Sequence, residues 1–171
     1  MVYLDPAFNS KANYNVLYRT PVGAEEDAQI RAFKDAWSWE EDAAAIAMDD
    51  MRKADISTFT MLQAFHAFLG ESDLMAYIAM MAIRLQVLHQ KLKPTGSLYL
   101  HCDPTASHYL KIVLDSIFGA ENFRSEITWL RSKNPKGSQH APKQFSPDTD
   151  SILFYGKTNA AELNIDAIKR P

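Results

Sequence analysis

Residues 72–119 constrain this chain more tightly than any other stretch, because stop signals divide them into a helix, a strand and a second helix. Ser72 or Asp73 can cap a helix running to about Lys93, with Met75, Ile78, Ala82, Leu85, Leu88 and Leu92 on one face. Pro94-Thr95-Gly96 stops it. Residues 97–102 then alternate with period two: Leu98, Leu100 and Cys102 point one way, Tyr99 and His101 the other. Asp103-Pro104-Thr105 opens the second helix, with proline where its missing N–H costs nothing. Ala106, Tyr109, Leu110, Val113, Leu114 and Ile117 form its apolar face, and Gly119 ends it. Two helices with apolar stripes flanking a strand must bury those stripes against a sheet, so the fold class is α/β.

The remaining chain fits around that unit. Met1-Val-Tyr-Leu-Asp-Pro reads as a short buried strand, and Pro6 ends its pairing. A domain that opens inside a core strand leads us to expect a natural chain that begins earlier. Asn9, Ser10, Asn13 and Asn15 mark an irregular polar loop. Residues 21–70 read as a helical insertion, with helical stretches over 24–36, 40–53 and 61–69, the last preceded by cap-type residues Asp55 to Thr58 and stopped by Gly70. Trp37 and Trp39 would pin that insertion to the domain. Residues 125–130 and 151–155 read as two more strands, joined by a long aperiodic loop of the kind that is functional or disordered. The order predicts one side of a doubly wound, Rossmann-like sheet that ends in an antiparallel hairpin, all in a single domain spanning 1–171.

Such a half-sheet has an open edge beside its first strand, and open edges pair with something, so self-association is an expectation. No apolar run approaches the ~20 residues of a membrane helix. The most apolar stretch, 75–92, is broken by Arg84, Gln86, His89, Gln90 and Lys91. No secretion leader is visible, and the lone Cys102 allows no intrachain disulfide, which fits a cytoplasmic protein. The net charge of −3 argues at first against a polyanionic partner, but its distribution matters more. Residues 21–60 hold ten acidic and four basic side chains, whereas 131–146 hold no acid but Arg131, Lys133, Lys136, Lys143 and His140.

The residues that point to chemistry are Asp5-Pro6-Ala7-Phe8, at the carboxyl end of the first strand, where open α/β sheets bind ligands. This tetrapeptide resembles the Asp-Pro-Pro-aromatic motif of amino-methyltransferases, which methylate exocyclic amines of DNA bases. Four blocks resemble the β-class, type III-like, adenine-specific branch in the family's order: residues 3–15, 96–111, 117–124 and 150–157. The resemblance implies a class I methyltransferase sheet, S-adenosylmethionine as cofactor, double-stranded DNA as partner, and a place in restriction-modification. Cytosine-specific members more often begin the motif with serine, so Asp5 favours adenine over cytosine-N4 methylation.

The chemistry accounts for those residue types. An adenine amine is a poor nucleophile because its lone pair is delocalised into the ring. Acceptors on its two N–H bonds draw it towards tetrahedral geometry and localise the lone pair. Asp5 can supply a carboxylate oxygen, and Pro6 a backbone carbonyl aimed by its fixed φ. Phe8 offers a flat face for a flipped base, and such stacking is worth ~1–3 kcal/mol per base, which helps offset extrusion of the base from the duplex.

Two departures from the family pattern weaken the reading. Ala7 replaces the second proline and loosens the turn by about 1 kcal/mol of ordering. Glycines stand only at 23, 70, 96, 119, 137 and 156, so no Gly-rich strand-to-helix loop is present to hold the donor. In the β-class the donor-binding and target-recognition parts follow the catalytic part. These 171 residues are therefore expected to be a catalytic-motif fragment, inactive alone, whose partner is the missing C-terminal part. A catalytically dead binding module of the same fold is the competing expectation.

The remaining candidates are weaker. Ala7, Trp129, Lys133 and Lys136 are read as substrate-binding, with simple packing an equal alternative for Trp129. Lys11 and Tyr14 read as solvated loop residues. His101 and Cys102 face opposite sides of one strand, so a shared metal is not expected and His101 reads as a core histidine.

Overall fold

The fold is taken from a computed structural model that describes residues 1–8, 12–16, 30–35, 38–39, 43–131 and 148–164, with backbone alone for 12–16 and 30–35. Strands β1 (Val2–Leu4), β2 (Ala12–Val16) and β3 (Ile30–Asp35) come first, then helices α1 (Ala43–Ala54), α2 (Ile56–Leu69) and α3 (Asp73–Lys91). Strand β4 (Ser97–Cys102), helix α4 (Ser107–Phe118) and strands β5 (Phe123–Leu130) and β6 (Thr149–Gly156) complete the chain.

The main sheet has the order β1-β4-β6-β5, with β1 parallel to β4 and both β4 and β5 antiparallel to β6. The expected α/β architecture and C-terminal antiparallel pair are both present. Strand β6, the last in the chain, thus lies between β4 and β5 at the centre of the sheet.

Local chemistry sets the helix ends. Asp55 Oδ1 accepts the backbone N–H of Ser57 at 2.9 Å and of Thr58 at 3.3 Å, capping α2. Ser72 Oγ accepts the Met75 N–H at 3.2 Å and caps α3 as expected. Gly119, at φ 86°, lets the chain leave α4 in a conformation that a side chain resists.

The core lies between the helices and one face of the sheet. Leu98, Leu100, Cys102, Leu153 and Tyr155 meet Met75, Ile78, Ala82, Leu85, Leu110, Val113 and Leu114, and Met51 and Leu62 of α1 and α2 join them. The apolar stripes of α3 and α4 are those anticipated. On α3 burial is wider, including Tyr77, Ala79 and Met81, because α1 packs against it too. At the contact between α4 and β6, the Tyr155 hydroxyl donates to Asp115 Oδ1 at 2.6 Å, and Lys111 reaches the same carboxylate at 2.8 Å.

Four expectations need correction. The polar loop around Asn13 and Asn15 is strand β2, and the helix expected over 24–36 gives way over Ile30–Asp35 to strand β3. The two strands pair antiparallel from Ala12↔Asp35 to Val16↔Ile30 with a bulge after Tyr14, and ladder hydrogen bonds between them outweigh a weak local propensity. The segment is thus part strand and part helix. The second helix of the opening unit begins at Ser107, not at Pro104: Asp103 Oδ1 accepts the Ala106 N–H at 3.2 Å, which holds Pro104 and Thr105 in a turn. Strand β1 is an edge strand, with Tyr3 53% exposed, and so is not a buried one.

Among the described residues no helix is long and apolar enough to cross a membrane. Cys102 is buried, and desolvation first, then the carboxylates of Asp103, Glu126 and Asp150, push its thiol from 9.0 up to about 12. A thiol so held is protonated and unreactive at neutral pH. The unfolded chain releases the proton near pH 9.0 and the folded chain near 12, so this contribution is intact below pH 9.0 and is lost as pH rises towards 12. Tyr155 shifts in the same direction, through burial and then its hydrogen bond to Asp115. Urea unfolding is expected to show stability falling by a few kcal/mol between about pH 9 and 11. Cys102→Ala should flatten part of that slope, and an unchanged slope would contradict the assignment.

Candidate active site

Parallel pairing of β1 with β4 builds the site. The register Leu4↔Leu100 places the next residues, Asp5 and His101, side by side where both strands end. Antiparallel pairing then sets His101 opposite Ile152 on β6, and Trp129 of β5 opposite Asp150. Because cross-strand partners share a face, His101, Ile152, Asp150 and Trp129 all project from the side of the sheet away from the helices.

At the centre of this row His101 lies between two carboxylates. Its Nδ1 is 3.3 Å from Asp5 Oδ1, and its Nε2 is 3.3 Å from Asp150 Oδ2. Asp150 is 5% exposed, and its other oxygen lies 2.7 Å from the Arg131 guanidinium. Phe8 meets the His101 ring edge-on, with centroids 5.2 Å apart and planes at 67°. The Tyr3 hydroxyl is 3.3 Å from His101 Nδ1. Burial raises the Tyr3 phenol, with a further contribution from the Asp5 charge, so it stays protonated. Asp5 itself keeps 59% of its side chain exposed, open to an incoming ligand.

The sequence-based candidates divide accordingly. Asp5 and Phe8 converge on one histidine, and Pro6 and Ala7 lie between them on the irregular segment after β1. Trp129 is 55% exposed, but three strand spacings separate β5 from β1, roughly 14 Å, so it does not share the Asp5 pocket. Arg131 is not a free cation: besides Asp150, its backbone N–H donates to Asp148 O at 2.8 Å, closing the base of the following segment. Lys133, Lys136, Lys11 and Trp37 lie outside the described residues. Trp39 stacks on His66 at 4.6 Å and 12°, which ties it to α2.

His101 and Asp150 were not foreseen as site residues, and the expected core histidine lies between the Asp5 and Asp150 carboxylates. Strand alternation had already separated His101 from the apolar face; the missing signal was the pairing that brings position 101 to position 5.

Next to residues 5–8 lies a cavity of about 570 Å³ lined by Leu4, Pro6, Ala7, Tyr77, Met81 and Val87, among others. Its size suits a small ligand. Its lining is apolar, and Arg84 is its one charged side chain among the described residues. S-adenosylmethionine carries a ribose diol, an amino group and a carboxylate, each needing a polar partner. The lining among the described residues fits an apolar part of such a molecule and does not fit its polar half.

The family model described as DNA methylase matches residues 1–171. This chain belongs to the DNA methylase family. It is 40% identical over 81 residues to the type II methyltransferase M.KpnI of Klebsiella pneumoniae, an alignment covering 47% of this chain and 19% of that protein. It is 27% identical over 111 residues to the Mod subunit of the type III restriction-modification enzyme StyLTI of Salmonella typhimurium strain LT2, covering 65% of this chain and 17% of that subunit. The chain thus spans less than a fifth of the length of these curated relatives. Among solved structures, the cytosine-N4-specific PvuII DNA methyltransferase superposes with a TM-score of 0.47 and 18% identity, over 57% of this chain and 39% of that one.

Proposed function

We propose that this DNA methylase chain carries the base pocket of an adenine-specific enzyme, acting on the exocyclic amine of adenine in double-stranded DNA with S-adenosylmethionine as donor. The observation that carries the reading is the convergence of Asp5 and Phe8 on His101 at the carboxyl end of β1. In this reading the flipped adenine stacks on Phe8. Asp5 accepts one amine N–H and the Pro6 carbonyl accepts the other, which localises the lone pair for attack. Trp129, Ala7 and the lysines at 133 and 136 would touch substrate, with Trp129 and the basic segment meeting the duplex beside the pocket.

The apolar lining among the described residues supports a division of labour in which partners for the polar half of the donor come from other parts of the full-length protein. The length of the two relatives supports the same division. The 171 residues alone are then inactive.

The test is the identity of the product. The full-length chain is incubated with duplex DNA and methyl-labelled S-adenosylmethionine, and the DNA is digested to nucleosides. Label is expected in N6-methyldeoxyadenosine. Label in N4-methyldeoxycytidine would move the reading to cytosine, and bound but unlabelled DNA would favour a binding module without catalysis.

A further inference from the structure

Asp5 is an exposed carboxylate just after β1, yet the reaction proposed for it needs one oxygen held in a fixed direction. The Asp5 side chain is 59% exposed and that of His101 only 13%. His101 in turn faces Asp150, which is 5% exposed and paired with Arg131 at 2.7 Å. A buried carboxylate is costly unless it is paired, and Asp150 lies within ion-pair distance of the Arg131 guanidinium on one side and 3.3 Å from His101 Nε2 on the other, although neither its Oδ1 nor that Nε2 makes a well-aligned hydrogen bond. The Arg131–Asp150 pair spans the neighbouring strands β5 and β6, and His101 extends the row to β4 and on to Asp5 after β1.

We propose that His101 is the positioning residue of this site. Its Nδ1 side, 3.3 Å from Asp5 Oδ1, sets the carboxylate rotamer and leaves Oδ2 to accept the substrate amine. Its Nε2 side faces Asp150, and its ring edge sets the plane of Phe8. The imidazole reaches both carboxylates, at 3.3 Å to each. No shorter polar side chain spans the two. Asparagine keeps a donor near the Nδ1 position, facing Asp5. Glutamine keeps one near the Nε2 position, facing Asp150. The inference rests on the reading of Asp5 as amine acceptor.

The test compares His101→Ala, His101→Asn, His101→Gln, Tyr3→Phe and Asp5→Ala in the full-length chain, measuring kcat, KM for DNA and thermal midpoint. His101→Ala should lower kcat roughly 10- to 100-fold, the penalty of a misplaced reacting group, with KM for DNA within about twofold of the parent. His101→Asn should recover most of that loss and His101→Gln little of it. Tyr3→Phe should lower kcat less than His101→Ala does, because the Tyr3 hydroxyl shares Nδ1 with Asp5 but sets neither the carboxylate rotamer nor the plane of Phe8. The inference is overturned if His101→Ala keeps full kcat while Asp5→Ala is dead. It is also overturned if the Asn and Ala variants lose activity equally along with thermal stability, or if Tyr3→Phe reproduces the His101→Ala defect. Methylation retained by Asp5→Ala would instead remove the Asp5 reading, and this inference with it.

Discussion

Asp5→Ala in the full-length chain is expected to abolish detectable methyl transfer while leaving DNA affinity within about twofold. The carboxylate is the one group of the Asp-Pro pair whose removal deletes an acceptor outright, since the Pro6 carbonyl belongs to the backbone. Loss of a single preorganised hydrogen-bonding group at a reacting centre costs roughly 10²–10³ in rate. Here the same substitution also frees the Nδ1 side of His101, 3.3 Å away, so the lower figure is a floor. DNA binding should survive, because most affinity for duplex comes from phosphate contacts by basic side chains, and Asp5 adds negative charge to that surface. Asp5→Asn separates charge from shape: the amide keeps one oxygen and also presents a donor, which clashes with the amine N–H it must accept. Single-turnover methylation and a filter-binding titration decide the matter, and methylation by Asp5→Ala within tenfold of the parent would refute the role.

Leu100→Ala is the substitution with the largest expected effect on folding. Leu100 is 0% exposed, sits between Leu4 of β1 and Leu153 of β6, and belongs to the main core cluster. Its loss creates a cavity between strand and helices that a three-stranded contact cannot collapse. Buried Leu→Ala changes cost about 2–5 kcal/mol, against the 5–15 kcal/mol that typical domains possess. The damage extends to the site, because the register Leu4↔Leu100 is also what brings Asp5 beside His101. Ile112→Ala, at a position 45% exposed on α4, should cost under about 1 kcal/mol and serves as the control. Urea midpoints for the two variants are the measurement, and a cost of Leu100→Ala no greater than that of Ile112→Ala would show that the core has been misplaced.

Much of this was legible in the chain itself. The cap at Ser72, the stop at Gly119, the alternation across 97–102 and the two late strands are short-range signals, each readable within a few residues. The tetrapeptide at positions 5–8 stands out in the sequence too, because the chemistry proposed for it is carried by residue type and order. The stretch around β2 and β3 was misread for a physical reason. Its local composition is polar and alanine-rich, and only the partner strand, more than ten residues away in sequence, supplies the hydrogen bonds that make it a strand. Pro104 misled in the opposite way: a favourable helix-start residue was taken into a turn by the neighbouring Asp103 side chain.

The sequence by itself supplied the candidates for chemistry, since a carboxylate, a rigid carbonyl and an aromatic face stand within four positions wherever the strand lies. Tertiary structure alone decided what holds them. His101 is 96 positions from Asp5, and Asp150 a further 49 beyond it. Neither separation leaves a trace in local pattern, because strand pairing is a long-range event whose register is set by burial of Leu4, Leu100 and Leu153 on the opposite face.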